Sequence, residues 1–486
     1  MGSFNCSEKS LQEIPALFTQ NLSEFIVNTT YNDLPEPAVA AAKRGVLDFL
    51  AVTLAGSREP VGERITTLIR ETNSNNEATV INGGFKTSAY FAAFANGTMA
   101  HTLDYDDVLH IPPIWTGHPS VAILPAALAV AEKINAPGKE VILAYCQGIE
   151  IYAKVALLCG DAAYRNGWHN TSIIGTMAAA GAAAKLLKLN ELHVRRAFGI
   201  AASLASGLRQ NFGTMVKPLH AGIAARNGVE ATRLAETGFT SDENIFEAPL
   251  GFRNVFTGNH SDISREIPYG SKTITPAEFT QCLGNPWTIF SPGVSFKICP
   301  SCRATHFGME AALYFRQKCA VGARQISEIE CHVPNHMESV LFYHNPQTGL
   351  EGKFSLEYVL ARTLIDGTPR INDFTDERVN EAEIKQLIKK IKWISFEPEA
   401  GTFGIPEFIV TLSDGTKRHT QIEFPRGEPE NPVNDDILVE KYQDCAGSVL
   451  PEKTRAQVKD LVLNLENVAN ISQLTNLLGH FRGSVT

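Results

Sequence analysis

SIIGTMAAAGAAAKLL, residues 172–187, is the stretch whose reading decides the fold. Its Ala/Gly core from Thr176 to Ala184 implies a helix whose neighbours approach closely. Such a helix lies deep in a bundle, not on a surface. Helix signals surround it on both sides. Glu36-Pro37 places a proline at a helix start, the segment to Ala55 is apolar on one side, and Gly56 suits the stop. Tyr90 to Met99, Ser120 to Lys133, Glu140 to Leu157, Glu191 to Leu208 and Ala221 to Glu236 read the same way.

The pattern changes after Pro286. Ile329, Cys331 and Val333 alternate with Glu328, Glu330 and His332, as a half-buried strand requires. Phe408, Val410 and Leu412 alternate up to Asp414-Gly415, a hairpin turn signal, and Ile422 and Phe424 return on the other side. Glu377 to Ile391 reads as an amphipathic helix, and Ile437 to Tyr442 and Pro451 to Leu463 are helical again. The expected fold class is therefore mainly α with an α+β second domain. Residues 1–286 form the N-terminal part of a large, discontinuous helical domain, 287–427 a smaller α+β lid domain, and 428–486 helices returning to the first.

At 486 residues the chain exceeds one comfortable core, which agrees with two domains. A composition of 44% hydrophobic and 20% charged residues is that of a soluble globular protein. The formal net charge of -9 argues against a nucleic-acid partner, though not against a local basic pocket. Nine cysteines at irregular spacing fit reduced thiols, and a cytoplasmic location, better than a disulfide framework. No apolar segment marks the N-terminus as a signal peptide. Gly2 is placed for myristoylation, but Cys6 stands where that motif wants Ser or Thr. Apolar stretches such as Ser172 to Ala184 fall short of the ~20 residues that span a bilayer, so no membrane partner is expected.

The chemistry concentrates in HTLDYDDVLHIPPIWTGHPS, residues 101–120. Three carboxylates (Asp104, Asp106, Asp107) and three histidines (His101, His110, His118) straddle a Pro-Pro loop there. The aspartates could be a divalent metal site, a solvated or capping cluster, or the partners that orient a catalytic histidine. His169, in GWHNTS just before the Ala-rich helix, could meet a carboxylate at a helix N-terminus or serve as a capping or core-polar histidine. Lys217 precedes Pro218, which predicts extended backbone, and with His220 it suits a carboxylate-bearing substrate or a solvated loop. In KICPSCRATH, residues 297–306, the CxxC formed by Cys299 and Cys302 is a weak zinc or redox signal. Lys297, Arg303 and His306 concentrate positive charge beside it. Lys353, in GLEGKFSLEY, is one more lysine at a helix start. No Walker loop, Rossmann fingerprint, GxSxG elbow or HExxH helix is present in the sequence. Cofactor-free acid–base chemistry on a small anion is what remains.

Taken together these motifs resemble the MmgE/PrpD family, which includes 2-methylcitrate dehydratase, cis-aconitate decarboxylase and iminodisuccinate epimerase. The likeness covers nearly the whole chain. It starts around Asp48-Phe-Leu-Ala and runs through HTLDYDD with GHPS, GWHNTS, NFGTMVKPLHAGIAARNG, KICPSCRATH and GLEGKFSLEYVLARTLIDG. It implies a helical domain with an α+β lid, a homodimer, and an active site between the domains with neither metal nor organic cofactor. Asp104, His118, His169 and Lys217 occupy matching catalytic positions, and Lys297 matches as well. Lys217, Lys297 and Arg303, with Cys302, His306 and His220 beside them, are the expected substrate-binding set. The chain departs from the animal cis-aconitate decarboxylase branch at Val108 and Cys302, where that branch has threonine and histidine.

The implied activity is a cofactor-independent lyase, a dehydratase or decarboxylase, acting on a small di- or tricarboxylate. His169 or His118 would move a proton beside a carboxylate, and Asp104 would hold one imidazole in its working tautomer. An epimerase of a dicarboxylate such as iminodisuccinate is the alternative. A non-catalytic, carboxylate-binding homodimer is a second.

Overall fold

The computed structural model describes residues 17–111, 114–258, 267–269, 272–274, 282–399 and 404–479. Gly2, Cys6 and the Pro112-Pro113 pair lie outside them.

Asn170–Leu186 is the central helix, with every residue but Lys185 buried. Small side chains allow this, because neighbouring backbones can come close without leaving voids. At Gly228 of Val216–Glu236, a Cβ would stand 2.5 Å from the Ala179 Cβ, so that crossing admits only glycine. Gly138–Cys159, Ser120–Lys133 and Val216–Glu236 pack around the central helix, with Ala89–Ala100 and Glu191–Leu204 beyond. Phe18–Asn28, Glu36–Gly56 and Pro60–Glu71 complete this half. Two of those, Phe18–Asn28 and Pro60–Glu71, were not singled out in the sequence, although Pro60 opens its helix as a helix-start proline should. Gly138–Cys159, at 22 residues, is also long and apolar enough to cross a membrane. That corrects the reading that no segment reaches such a length, yet its apolar window is wholly buried among helices.

The C-terminal helices Asp435–Gly447, Glu452–Leu463 and Ser472–Leu478 add Leu438, Tyr442, Val458 and Leu474 to this same core. A second core, drawn from Cys299 to Val410, is separate. It lies between helices His306–Gln317 and Leu356–Asp366 and a four-stranded sheet. The strand order is Lys417–Gln421, Glu407–Leu412, Ile326–Pro334, Ile391–Phe396, antiparallel except for the last pair. Ile329, Cys331, Val333, Phe408 and Val410 are fully buried, the face that period-2 alternation assigns inward. Gly415, at φ +84°, makes the expected turn.

Several boundaries differ from expectation: Val216–Glu236 begins before the expected Ala221, and Asp435–Gly447 extends past the expected Ile437–Tyr442 at both ends. Glu191–Leu204 ends four residues early, because Leu208 instead bridges to Trp168 and the Gly207 carbonyl accepts from the His169 N–H. The amphipathic helix expected over 377–391 divides into Asp376–Val379 and Ala382–Ile388, and Ile391 opens a strand paired in parallel with Ile329. The returning hairpin strand is Lys417–Gln421, with Phe424 beyond it and exposed.

The halves are joined by a small sheet. Val108–Ile111 pairs with Ile114–Gly117 and with Val294–Ser295, the strand that leads into residues 297–306. The Phe296 N–H also donates to the Gly427 carbonyl at 2.9 Å. Both residue clusters singled out in the sequence therefore leave the same three-stranded sheet.

Candidate active site

Ala89–Ala100 ends at His101, and the chain turns sharply at Asp104, which has φ +52°. This left-handed conformation is uncommon outside glycine. The Asp104 carboxylate meets two buried lysines. Lys217 Nζ donates to Asp104 Oδ2 at 2.7 Å and Lys297 Nζ to Oδ1 at 2.5 Å. Burial alone would raise this carboxyl, but the two ammonium groups outweigh it and hold it well below the usual range.

Lys217 is not in extended backbone. It lies in the first turn of Val216–Glu236, one residue before Pro218. The first turn of a helix has no intrahelical acceptor for its N–H groups, so a proline costs little there. Its ammonium also lies over the Phe212 and Phe354 rings, at 5.3 and 4.9 Å, a cation–π contact.

Asp106, not Asp104, orients the imidazoles. His118 Nδ1 lies 2.8 Å from Asp106 Oδ2 and 3.0 Å from the Asp107 carbonyl. His101 Nδ1 meets the two Asp106 oxygens at 2.9 and 3.0 Å. With only acceptors around Nδ1, His118 carries its proton there and leaves Nε2 basic. That nitrogen is 3.7 Å from Asp104 Oδ1. Burial lowers the His118 pKa, against the pull of Asp106, so the ring is a base near neutrality. Gly117, at φ +110°, sets this ring: a Cβ there would fall 2.7 Å from Tyr152 Oη and 2.8 Å from Thr171 Oγ1. Thr171 Oγ1 in turn accepts from the His118 N–H.

His169 stands at the N-cap position of Asn170–Leu186 without a side-chain capping bond, its Nδ1 3.1 Å from His220 Nδ1. One imidazole must donate and the other accept, so the pair cannot both become cationic. Burial first, then His220 and Lys217, depress the His169 pKa well below its ordinary value.

A cleft of about 560 Å³, its open mouth included, lies against these groups. This is a size suited to a small ligand. Polar and charged groups on its wall come from His118, His169, Asn170, Thr171, Lys217 and Arg303. Val108, Phe212, Val340 and Phe354 supply apolar wall, and Tyr164, Cys302 and Ala304 complete one side. Arg303 pairs through Nε with Glu428, which accepts also from Ser295 at 2.9 Å. Its Nη1 is buried without a partner, a donor that an anion in the cleft would satisfy.

Four of the nine sequence candidates thus do not line the cleft. Asp104 and Lys297 stand behind Lys217, and His220 stands behind His169. His306 Nε2 faces the Cys299 carbonyl at 3.2 Å inside the second half, where burial lowers its pKa. Cys299 and Cys302 are free thiols, and burial pushes Cys299 up to about 12. The reading also missed the Asp106 bridge between His101 and His118. Both residues were in the quoted stretch, but a pairing across a helix end has no periodicity to reveal it. Tyr164 and Val340 carried no signal at all, and Phe354 stood in a quoted motif but was not singled out.

His101, Asp104, Asp106 and His118 offer ligand atoms within 4.8 Å of one another, the spacing of a metal set. The donors fit a dication poorly. Both Asp104 oxygens already hold ammonium groups, whose charge opposes a second cation at that distance.

The buried imidazoles make stability sensitive to acid. Burial lowers His101, His110 and His220 to about 4, while an unfolded histidine titrates near ~6.5. The unfolded chain therefore binds more protons between these values, and stability falls as pH falls. Asp107, raised to about 8 by burial and Asp48, works in the opposite sense by one proton. A net loss of about 1–3 kcal/mol per pH unit below ~6.5 is expected. Thermal unfolding from pH 8 to 5 checks it, and a flat melting temperature would contradict it.

Residues 20–263 match the MmgE/PrpD N-terminal domain and residues 299–467 the MmgE/PrpD C-terminal domain. The chain belongs to the MmgE/PrpD family. Its similarity to individual family proteins runs end to end. It is 28% identical over 477 residues to a cis-aconitate decarboxylase of Mus musculus, covering 95% of this chain and 93% of that one. Against a cis-aconitate decarboxylase of Aspergillus terreus it is 28% identical over 482 residues, 95% of each chain. Both MmgE/PrpD domains contribute to the site, with His118, His169 and Lys217 in the first and Cys302 and Arg303 in the second.

Proposed function

We propose that this protein is a cofactor-independent lyase acting on a small di- or tricarboxylate, and that His118 and His169 move the proton. The observation that carries the reading is one cleft lined by two imidazoles, a buried lysine and an arginine with an unpartnered Nη1. Arg303 and Lys217 would each take a substrate carboxylate, and the N–H groups opening Asn170–Leu186 favour the same charge. His118 Nε2 would exchange a proton with the carbon beside a carboxylate, with Asp106 stabilising the imidazolium that forms. His169, on the same cleft, would supply or accept the second proton. Negative charge developing on the substrate would be met by Lys217. Asp104 and Lys297 act behind Lys217 by fixing its position, and His220 acts behind His169 in the same way.

What leaves determines the reaction: hydroxide gives dehydration and CO2 gives decarboxylation. The relatives' names favour decarboxylation. Val108 and Cys302, where this chain departs from the animal decarboxylase branch, both line the cleft, which favours a different acid. A second reading, epimerisation of a dicarboxylate, draws on the two imidazoles in one cleft, since inversion needs a proton donor and an acceptor on opposite faces. We further propose a cytoplasmic homodimer.

NMR of the chelator-treated protein in D2O, with cis-aconitate, citrate, 2-methylcitrate and iminodisuccinate offered separately, tests this. A new vinyl signal or released CO2 is expected. Deuterium entering the α-carbon without elimination would select the epimerase. Ligand-induced thermal stabilisation with no turnover of any acid would leave a binding protein and overturn the enzyme.

A further inference from the structure

Two motifs are not absorbed by the reaction chemistry: Asp48 in DFLA and Lys353 in GKFS. Both lead to the same place. Three consecutive carbonyls at the Asp104 turn each accept from a different buried lysine. Lys353 Nζ donates to the Leu103 carbonyl at 2.8 Å, Lys297 Nζ to that of Asp104 at 2.7 Å, and Lys441 Nζ to that of Tyr105 at 2.6 Å. The three lysines are 4%, 1% and 6% exposed.

Each outer lysine also holds the opposite segment. Lys441 donates to the Lys297 carbonyl at 3.0 Å, and Lys353 to the Pro300 carbonyl at 3.2 Å. The 103–105 turn and residues 297–300 are thus tied together at both ends, with the Lys297–Asp104 ion pair between the ties. Asp48 supplies the carboxylate for Lys441 at 2.6 Å, and Lys441 also lies 3.9 Å from the Tyr105 ring centroid. Lys353 is held by carbonyls alone among the contacts described, over the Phe374 ring.

Burying an ammonium is unfavourable unless it is fully satisfied, and apolar residues of similar volume often replace buried ion pairs without loss of stability. Three such groups at one tight turn therefore point to placement of the turn more than to stability. The turn draws on it, because Asp104 is a non-glycine residue at φ +52°, a backbone conformation that carries a modest strain.

We propose that Lys353 and Lys441 are positioning residues for this site. Together with Lys297 they hold the carbonyls of residues 103–105, and this fixes the Asp104 carboxylate against Lys217 and beside His118. The proposal rests on the acid–base reading above. It also assigns Lys441 of the C-terminal helix Asp435–Gly447 and Lys353 of the GKFS segment a role in the reaction, although neither lysine lines the cleft.

Lys441→Met, Lys441→Arg and Lys353→Met in the full-length protein test it, with kinetics on the acid that the unaltered protein converts. Either Met variant is expected to lower kcat by about 10- to 100-fold with KM little changed, and Lys441→Arg to recover part of the loss. Full kcat in either Met variant, or a loss confined to KM, would overturn the proposal. If Lys441→Met does not fold, Lys353→Met and Lys441→Arg carry the comparison. Crystal structures of the variants separate this proposal from the reaction assignment. Asp104 must leave its left-handed conformation or lose its Lys217 contact in a Met variant. An unchanged turn would overturn the proposal whatever the activity.

Discussion

His118→Gln is expected to lower kcat by ~10²–10⁴-fold, the range lost when a positioned acid–base group is removed. Glutamine places an amide near where Nε2 stood, but that nitrogen is not basic, and Asp106 keeps its contact with His101. The fold should survive, because His118 reaches the cleft from the end of a strand and its backbone N–H bond to Thr171 is untouched. Circular dichroism and the melting temperature check that, and turnover on the responsive acid checks the rest. His169→Gln is expected to fall in the same range and separates the two readings. A lyase that needs both imidazoles loses elimination in each variant. An epimerase keeps α-proton exchange from one face in each, visible as deuterium uptake without inversion. Full activity in either variant would remove that histidine from the mechanism.

Asp104→Asn is expected to cost about 3–5 kcal/mol of stability as well as turnover. Two buried ammonium groups would lose their carboxylate, and removing one partner of a buried ion pair leaves uncompensated charge. Asparagine has almost the same shape, so the loss would report charge and not packing. Adding Lys297→Met to that variant should recover part of the stability, because it removes one of the stranded charges. Denaturant unfolding of the single and double variants measures the coupling. An Asp104→Asn protein as stable as the original would show that the lysines find other acceptors.

Much of the fold follows from local pattern. The Ala-rich segment 172–187, the proline at Glu36-Pro37 and the alternation Ile329, Cys331, Val333 reflect backbone propensity and the burial of one face, and these act over a few residues. Where neighbours on the same strand or turn compete, local pattern fails. Pro218 made Lys217 read as extended, but its missing N–H falls where a helix has none to satisfy. Residues 377–391 have helical periodicity, but Ile391 gains a strand partner in Ile329.

For the site, the sequence alone determined the inventory: which histidines, lysines and carboxylates stand in the family's motifs, and the proposed proton transfer beside carboxylates draws on that inventory. Only the tertiary structure decided the roles. Asp104 and Asp106 are two residues apart and equal as text. The left-handed turn between them gives one to Lys217 and Lys297 from distant segments, and the other to His101 and His118. A carboxylate's partner is set by Coulomb interaction and hydrogen-bond geometry over about 3 Å in a low-dielectric interior. Lys217, 113 positions away, comes within that reach because Val216–Glu236 packs on Ala89–Ala100, and Lys297, 193 positions away, because Val294–Ser295 pairs with Val108–Ile111.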